Sequence, residues 1–180
     1  MAEHKGMRPH DVVVLLKLVS VAHQEEILVK SEALQQKALA ASLGMSQSEI
    51  SASLRRSRVA RLVAQDRQQV HPQALFEFLC YGLRYVFPAE PGPVYRGMPT
   101  AHSAPPLNAL IRSAETYVWP SAEGTARGES IVPLYPSVPF AARQDATLYA
   151  LLALVDALRV GRVREIILAQ DLLKKYILRG

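Results

Sequence analysis

The sequence predicts a mainly α-helical protein with one small β-hairpin, on three observations. Apolar residues recur at helical spacing near both ends of the chain, as Val12, Leu15, Leu16 and Val19 and again as Leu148, Leu151, Leu152, Val155 and Leu158. Prolines gather in the middle, where all of the 12 except Pro9 and Pro72 fall between Tyr85 and Arg143. Between these regions, residues 62–71 have two short β-prone ends around a polar turn, the pattern of a hairpin.

A chain of 180 residues can bury one substantial core or two small ones that share an interface. The change in composition near Tyr85 predicts two units, 1–84 and 85–180. Hydrophobic residues make up 49% and charged residues 21%, which are globular proportions and argue against disorder. The net charge of +5 and an isoelectric point of about 9.5 favour a polyanion or an anionic surface as partner, and are also compatible with ordinary solubility. Cys80 is the single cysteine, so an internal disulfide and a thiolate zinc cluster are both excluded. The apolar stretch from Val12 to Leu16 is stopped by Lys17, and the longest apolar run, Ala146 to Val155, is too short for a membrane span. A cytoplasmic protein with no membrane partner is expected.

Taken in order, the first helix starts at Pro9, a residue suited to a first helical turn. Ile27, Leu28 and Val29 fit either a short strand or an extension of that helix. Phe76, Phe78 and Cys80 belong to a later apolar helix, where the thiol reads as buried and inert. The proline-rich middle is expected to be loops, turns and short edge strands such as 117–119. Its aromatics, among them Tyr85, Phe87, Tyr95, Trp119 and Phe140, are too many for a solvated tether, so it should pack on the helices around it. Asp145 is a candidate N-cap, Gly161 a break, and a last helix of about 162–178 carries Val163, Ile166, Ile167, Leu173 and Ile177 on one side. Lys174, Lys175 and Arg179 near its end suit the helix dipole.

The informative stretch runs from Leu39 to Arg56. Leu39 and Leu43 are four apart on a short helix, and Gly44 supplies the positive φ that ends it. Ser46 and Glu49 are spaced as a capping box, which starts a new helix at Gln47 that runs to about Ala60. Ile50 and Leu54 point back at Leu39 and Leu43. The opposite face carries Gln47, Ser48, Ser51, Ala52 and Arg55 and no acid. Small polar residues let a backbone approach base edges, Gln pairs with adenine, and Arg reaches O6 and N7 of guanine. Ser46 stands beside that face at the helix start. Arg56, Arg58 and Arg61 would flank the groove and meet phosphates, and Arg67 would sit at the tip of the hairpin beside the duplex.

Over about 8–78 this order of short helix, Gly44, Ser46, Ile50-Ser51, Leu54, Leu62-Val63 and hairpin resembles the winged helix-turn-helix transcriptional regulators of bacteria, most like the MarR-like group. The resemblance implies a recognition helix in the major groove of double-stranded DNA. Ser57 replaces a residue that is usually apolar in that family, and Arg61 one that is often glycine, which predicts a different winding at the exit of the recognition helix.

Other polar residues are less organised. His71, His102, Glu129 and Asp145 have no ligand spacing, so no metal, cofactor or catalytic residue is assigned. The stretch from Arg96 to Pro106 fits a rigid connector better than a small-effector pocket made with Tyr95, Trp119 and Arg127. The expectation is a non-enzymatic, homodimeric transcriptional regulator whose helices in 145–178 form the dimer contact. Its rivals are an antitoxin-like or adaptor protein whose C-terminal unit holds a partner protein, and an enzyme using Arg96, His102 and Glu129.

Overall fold

A computed structural model describes residues 6–24 and 31–178. The reading of Ile27, Leu28 and Val29, and that of Arg179, lies outside the described residues. The chain is mainly α, in the order α1 (Pro9–Ala22), α2 (Gln36–Leu43), α3 (Gln47–Val59), α4 (Pro72–Tyr81), α5 (Leu83–Val86), β1 (Val94–Pro99), β2 (Tyr117–Pro120), β3 (Ala126–Ser130), α6 (Val138–Gln144), α7 (Ala146–Val160) and α8 (Val163–Ile177). Two single 3-10 turns, Ala101–Ser103 and Leu107–Ala109, join β1 to β2.

The first helix is not the one-sided helix its apolar stripe predicts. Every residue from Asp11 to Val21 is buried, because α1 packs on α3 on one side and on α7 on another. Lys17 and Ser20, which a one-sided helix would leave in water, both reach Asp145: Lys17 Nζ donates at 2.8 Å and Ser20 Oγ at 2.6 Å to Oδ2. The other carboxylate oxygen of Asp145 accepts from the Leu148 amide at 2.9 Å and caps α7. Burial works against the charge of Asp145, but these hydrogen bonds and the Lys17 ammonium outweigh it and hold the carboxyl below its usual range.

The proline-rich middle folds into a small sheet and a further helix. β1 pairs antiparallel with both β2 and β3, while β2 and β3 pair in parallel, so the three strands close on themselves. The two Arg-Gly pairs of the proline-rich middle, Arg96-Gly97 and Arg127-Gly128, meet here, with Arg96 opposite Arg127 and Tyr95 opposite Gly128. A Cβ on Gly97 would lie 2.0 Å from the Trp119 carbonyl oxygen, and one on Gly128 would lie 2.3 Å from that of Thr116, so only glycine admits so close a strand approach. Prolines sit at the ends of β1 and β2 and in the first turn of α6, where their missing amide costs least.

α7 is buried along nearly its whole length and forms the centre of the second half. Asp156 on it accepts from Thr100 Oγ1 at 2.7 Å and Trp119 Nε1 at 2.6 Å, and pairs with Arg159 at 2.8 Å. Arg159 in turn donates to the carbonyls of Phe87 and Val132. One hydrophobic cluster joins Leu15, Leu39, Ile50 and Leu75 from the first half to Trp119, Leu151 and Leu173 from the second, so the core crosses the compositional boundary near residue 85.

Candidate nucleic-acid interface

The segment from α2 to α3 folds as its residues dictate. Gly44 has φ of +62° and closes α2, while the Met45 amide returns to the Ala40 carbonyl at 3.0 Å. The capping box is complete: the Glu49 amide donates to Ser46 Oγ at 3.2 Å and the Ser46 amide to Glu49 Oε2 at 2.8 Å. Ile50, Ser53, Leu54 and Ser57 form the buried side of α3. The hydroxyls of Ser53 and Ser57 find no hydrogen-bond partner among the described residues, which limits what those positions add to the core.

The opposite side of α3 is free. Ser48, Ser51, Arg55 and Val59 follow one another three or four residues apart and are exposed, with Gln47 exposed at the start and Ala52 half-buried beside them. Val59, 67% exposed, went unremarked in the sequence because a single apolar residue near a helix end carries no signal; its methyls suit contact with a thymine methyl. Glu49 lies round the helix from this stripe. It accepts from Tyr135 Oη at 2.6 Å, and that bond, with those from Ser46, holds its carboxyl down at about 2. Its charge sits in the first turn, where it favours the helix dipole.

The arginines divide by role. Arg55 and Arg61 are exposed. Arg56 does not present its charge outward: Nε and Nη2 donate to Asp11 Oδ2 and Oδ1 at 2.8 and 2.6 Å, and Nη2 meets His10 Nε2 at 3.0 Å. The expected phosphate contact by Arg56 is therefore corrected to a clamp between α3 and α1. Burial, opposed by Asp11 and aided by the Arg56 charge, lowers the affinity of His10 for a proton. Arg58 is half-buried, its Nε 3.3 Å from the Ala64 carbonyl, while its own carbonyl accepts from Gln65 at 3.2 Å. Arg58 thus ties the helix to the hairpin and leaves only part of its guanidinium outward. Ser46 is engaged by the cap and by Ser48 Oγ at 3.0 Å.

The hairpin is minimal. Val63 and Val70 form an antiparallel bridge, the Ala64 amide donates to Gln69 and the His71 amide to Leu62, both at 2.9 Å, and Arg67 is exposed on the turn between them. Arg61, just past the end of α3, adopts φ of +60°, a left-handed conformation that an arginine rarely takes.

The second half buttresses the turn from outside. Ser137 Oγ donates to the Leu43 carbonyl at 2.5 Å, Phe140 packs beside Gly44, and the Tyr135 ring meets His10 edge-on at 5.4 Å. No periodicity in the proline-rich stretch foretold these contacts.

The remaining candidates take structural places. Trp119 is buried and bonded to Asp156, so it cannot line an effector pocket with Tyr95. Arg96 donates to the Gly124 carbonyl. His102 is buried, with Nε2 2.8 Å from the Glu115 carbonyl and Nδ1 3.8 Å from Glu165. Glu129 stands in β3 opposite Val94 and Tyr117. His71 precedes α4 at the surface. Cys80 is buried, and burial pushes its thiol up to about 11, well away from a reactive thiolate. Among the described residues no group of three or more His, Cys, Asp or Glu is placed to hold a metal ion, and no helix is long and apolar enough to cross a membrane.

No family model, curated protein or solved structure matches the chain.

Proposed function

We propose that the chain is a sequence-specific DNA-binding transcriptional regulator of the cytoplasm, a winged helix-turn-helix protein with α3 as its recognition helix. The observation that carries this reading is the two-sided character of α3. Its inner side and flank are engaged by α1, α2 and Tyr135, whereas Gln47, Ser51, Arg55 and Val59 face outward with no structural duty and Ser48, bonded to Ser46 at the cap, is exposed beside them. In a major groove, Gln47, Ser48, Ser51 and Arg55 face base edges, while Arg61, Arg67 and the free part of Arg58 meet phosphates. The MarR-like resemblance rests on this motif alone.

A homodimer would present two copies of α3 to one face of the duplex and require half-sites about 10 base pairs apart or a multiple of that. α7 is enclosed within the protomer, so of the helices assigned to that contact α8 is the one with exposed apolar residues, Val163 and Ile167.

The reading as an adaptor or antitoxin-like protein draws on a different surface. Arg159 gathers the Phe87 and Val132 carbonyls, which places Val132, 70% exposed, near the exposed end of α5 at Tyr85 and Val86. Apolar residues grouped in this way suit a protein partner.

Selection of bound fragments from the source genome, followed by sequencing, tests the main reading. Enrichment of a shared inverted motif supports it; recovery of fragments with no common sequence contradicts it.

A further inference from the structure

We propose that His10 is a positioning residue for α3: its neutral ring completes the grip of α1 on Arg56, and a proton on that ring opens the grip and weakens DNA binding. The effect on DNA rests on the reading of α3 as recognition helix. The latch itself does not.

A guanidinium has hydrogens to give and no lone pair to offer. Arg56 gives its Nε hydrogen to Asp11 Oδ2 at 2.8 Å and an Nη2 hydrogen to Asp11 Oδ1 at 2.6 Å, and Nη2 lies 3.0 Å from His10 Nε2. Nη2 carries two hydrogens, so it serves both partners. The contact with His10 is a hydrogen bond only if Nε2 holds a lone pair, which makes the ring neutral with its proton on Nδ1. All three side chains are enclosed, with fractional exposures of 13% for His10, 11% for Arg56 and 0% for Asp11.

A proton on Nε2 turns this bond into a conflict. Two cationic N–H groups then face each other at 3.0 Å where little water screens them. Asp11 Oδ1 lies 3.7 Å from Nε2, but Arg56 already occupies it. Imidazolium and guanidinium therefore compete for one carboxylate, and Arg56 loses a tie to α1. Arg55, which the DNA reading sets against a base, is the next residue along the helix. A helix freed on this side presents it with less preorganisation.

The charged groups around His10 come from both helices. Burial is the largest influence and lowers its affinity for a proton below the ordinary 6.5. Asp11 on α1 and Glu49 on α3 draw a proton toward the ring, while Arg56 on α3 and Arg8 beside α1 oppose it. Tyr135, from the segment before α6, meets the ring edge-on at 5.4 Å and gives its hydroxyl to Glu49. The folded chain thus takes up this proton less readily than the unfolded one. Its stability falls as pH drops through 6.5 and levels off once the folded ring is protonated.

An NMR titration of the full-length protein without DNA tests the latch and needs no variant. We expect the His10 ring to titrate below 6.5 and the Arg56 Nε–H signal to shift or broaden with the same midpoint. An Arg56 signal that stays unchanged while His10 titrates overturns the proposal, as does a His10 midpoint at or above 6.5. Fluorescence anisotropy at fixed salt then follows binding to a genome-selected duplex from about pH 8 down to about pH 5. One proton tied to binding weakens the parent by up to about tenfold per pH unit below the His10 midpoint. His10→Gln, whose side-chain oxygen accepts from Arg56 at every pH, should match the parent at the alkaline end and flatten this dependence. Protons taken up by exposed histidines beside a duplex would strengthen binding, the opposite sign. Equal pH dependence in parent and His10→Gln overturns the proposed control of DNA binding. A parent that selects no duplex overturns the DNA reading instead, and the NMR titration still decides the latch.

Discussion

Arg56 and Asp11 form a two-pronged ion pair between α3 and α1, with both donor–acceptor distances between 2.6 and 2.8 Å and Asp11 fully enclosed. Asp11 also accepts from the Arg8 amide at 2.8 Å, so one carboxylate both caps α1 and orients α3. Removing either partner leaves the other charge buried. Asp11→Ala and Arg56→Ala should each cost about 3 to 5 kcal/mol in urea denaturation, and the double variant clearly less than the sum. A loss below about 1 kcal/mol in both would show that the pair is not structural.

Tyr135 joins the second half of the chain to Glu49, and its hydroxyl is the largest influence holding that carboxyl at about 2, below its ordinary 4.5. The folded-state value is depressed, so its contribution to stability is complete above about 4.5 and is lost as pH falls from there toward 2. Tyr135→Phe should destabilise the protein near neutrality by about 1 kcal/mol. The gap between variant and parent should narrow as the pH is lowered through that window. A gap that stays constant with pH would mean that the ring packing, and not the hydrogen bond, matters.

Gly44 turns the chain at φ of +62° against Ser137 and Phe140. Gly44→Ala combines a left-handed conformation with a Cβ about 3.1 Å from Ser137 Cβ. Thermal unfolding should show a loss of about 1 to 2 kcal/mol from the backbone alone. An unchanged midpoint would place the turn elsewhere.

The exposed arginines make a separate prediction about salt. If Arg61 and Arg67 each neutralise a phosphate, Arg61→Ala and Arg67→Ala should each flatten the dependence of log K on log salt by about 1 per site, with affinity falling alike on all sequences. Sequence-dependent losses would move these residues from the phosphates to the bases.

The local signals around the turn were legible because each is a short-range rule. Pro9, Gly44, the Ser46–Glu49 box, Asp145 and Gly161 all act on their own helix ends, and all stand where the residues indicate. Long-range partnerships were not legible. Nothing near Arg56 in sequence distinguishes it from Arg55, yet one turns inward to Asp11, 45 positions away, and the other outward. Of the sheet only β2, at the expected strand 117–119, was legible, since β1 and β3 have no alternation of apolar and polar residues and are held by glycines that admit close strand contact. The stripe on α1 predicted one buried face, because periodicity cannot foresee that Asp145 will satisfy Lys17 and Ser20 on the other.

The central claim is that the free side of α3 reads bases, and Arg55 tests it most directly. Dissociation constants of the parent and of Arg55→Ala are measured by fluorescence anisotropy, at one fixed salt concentration, on a genome-selected duplex and on an unrelated duplex of equal length. Arg55 is exposed and has no intramolecular partner among the described residues, so its removal should leave the fold intact. The account predicts a loss of about 1 to 3 kcal/mol on the selected duplex and a much smaller one on the unrelated duplex. Equal losses on both, or no preference by the parent for the selected duplex, would contradict it.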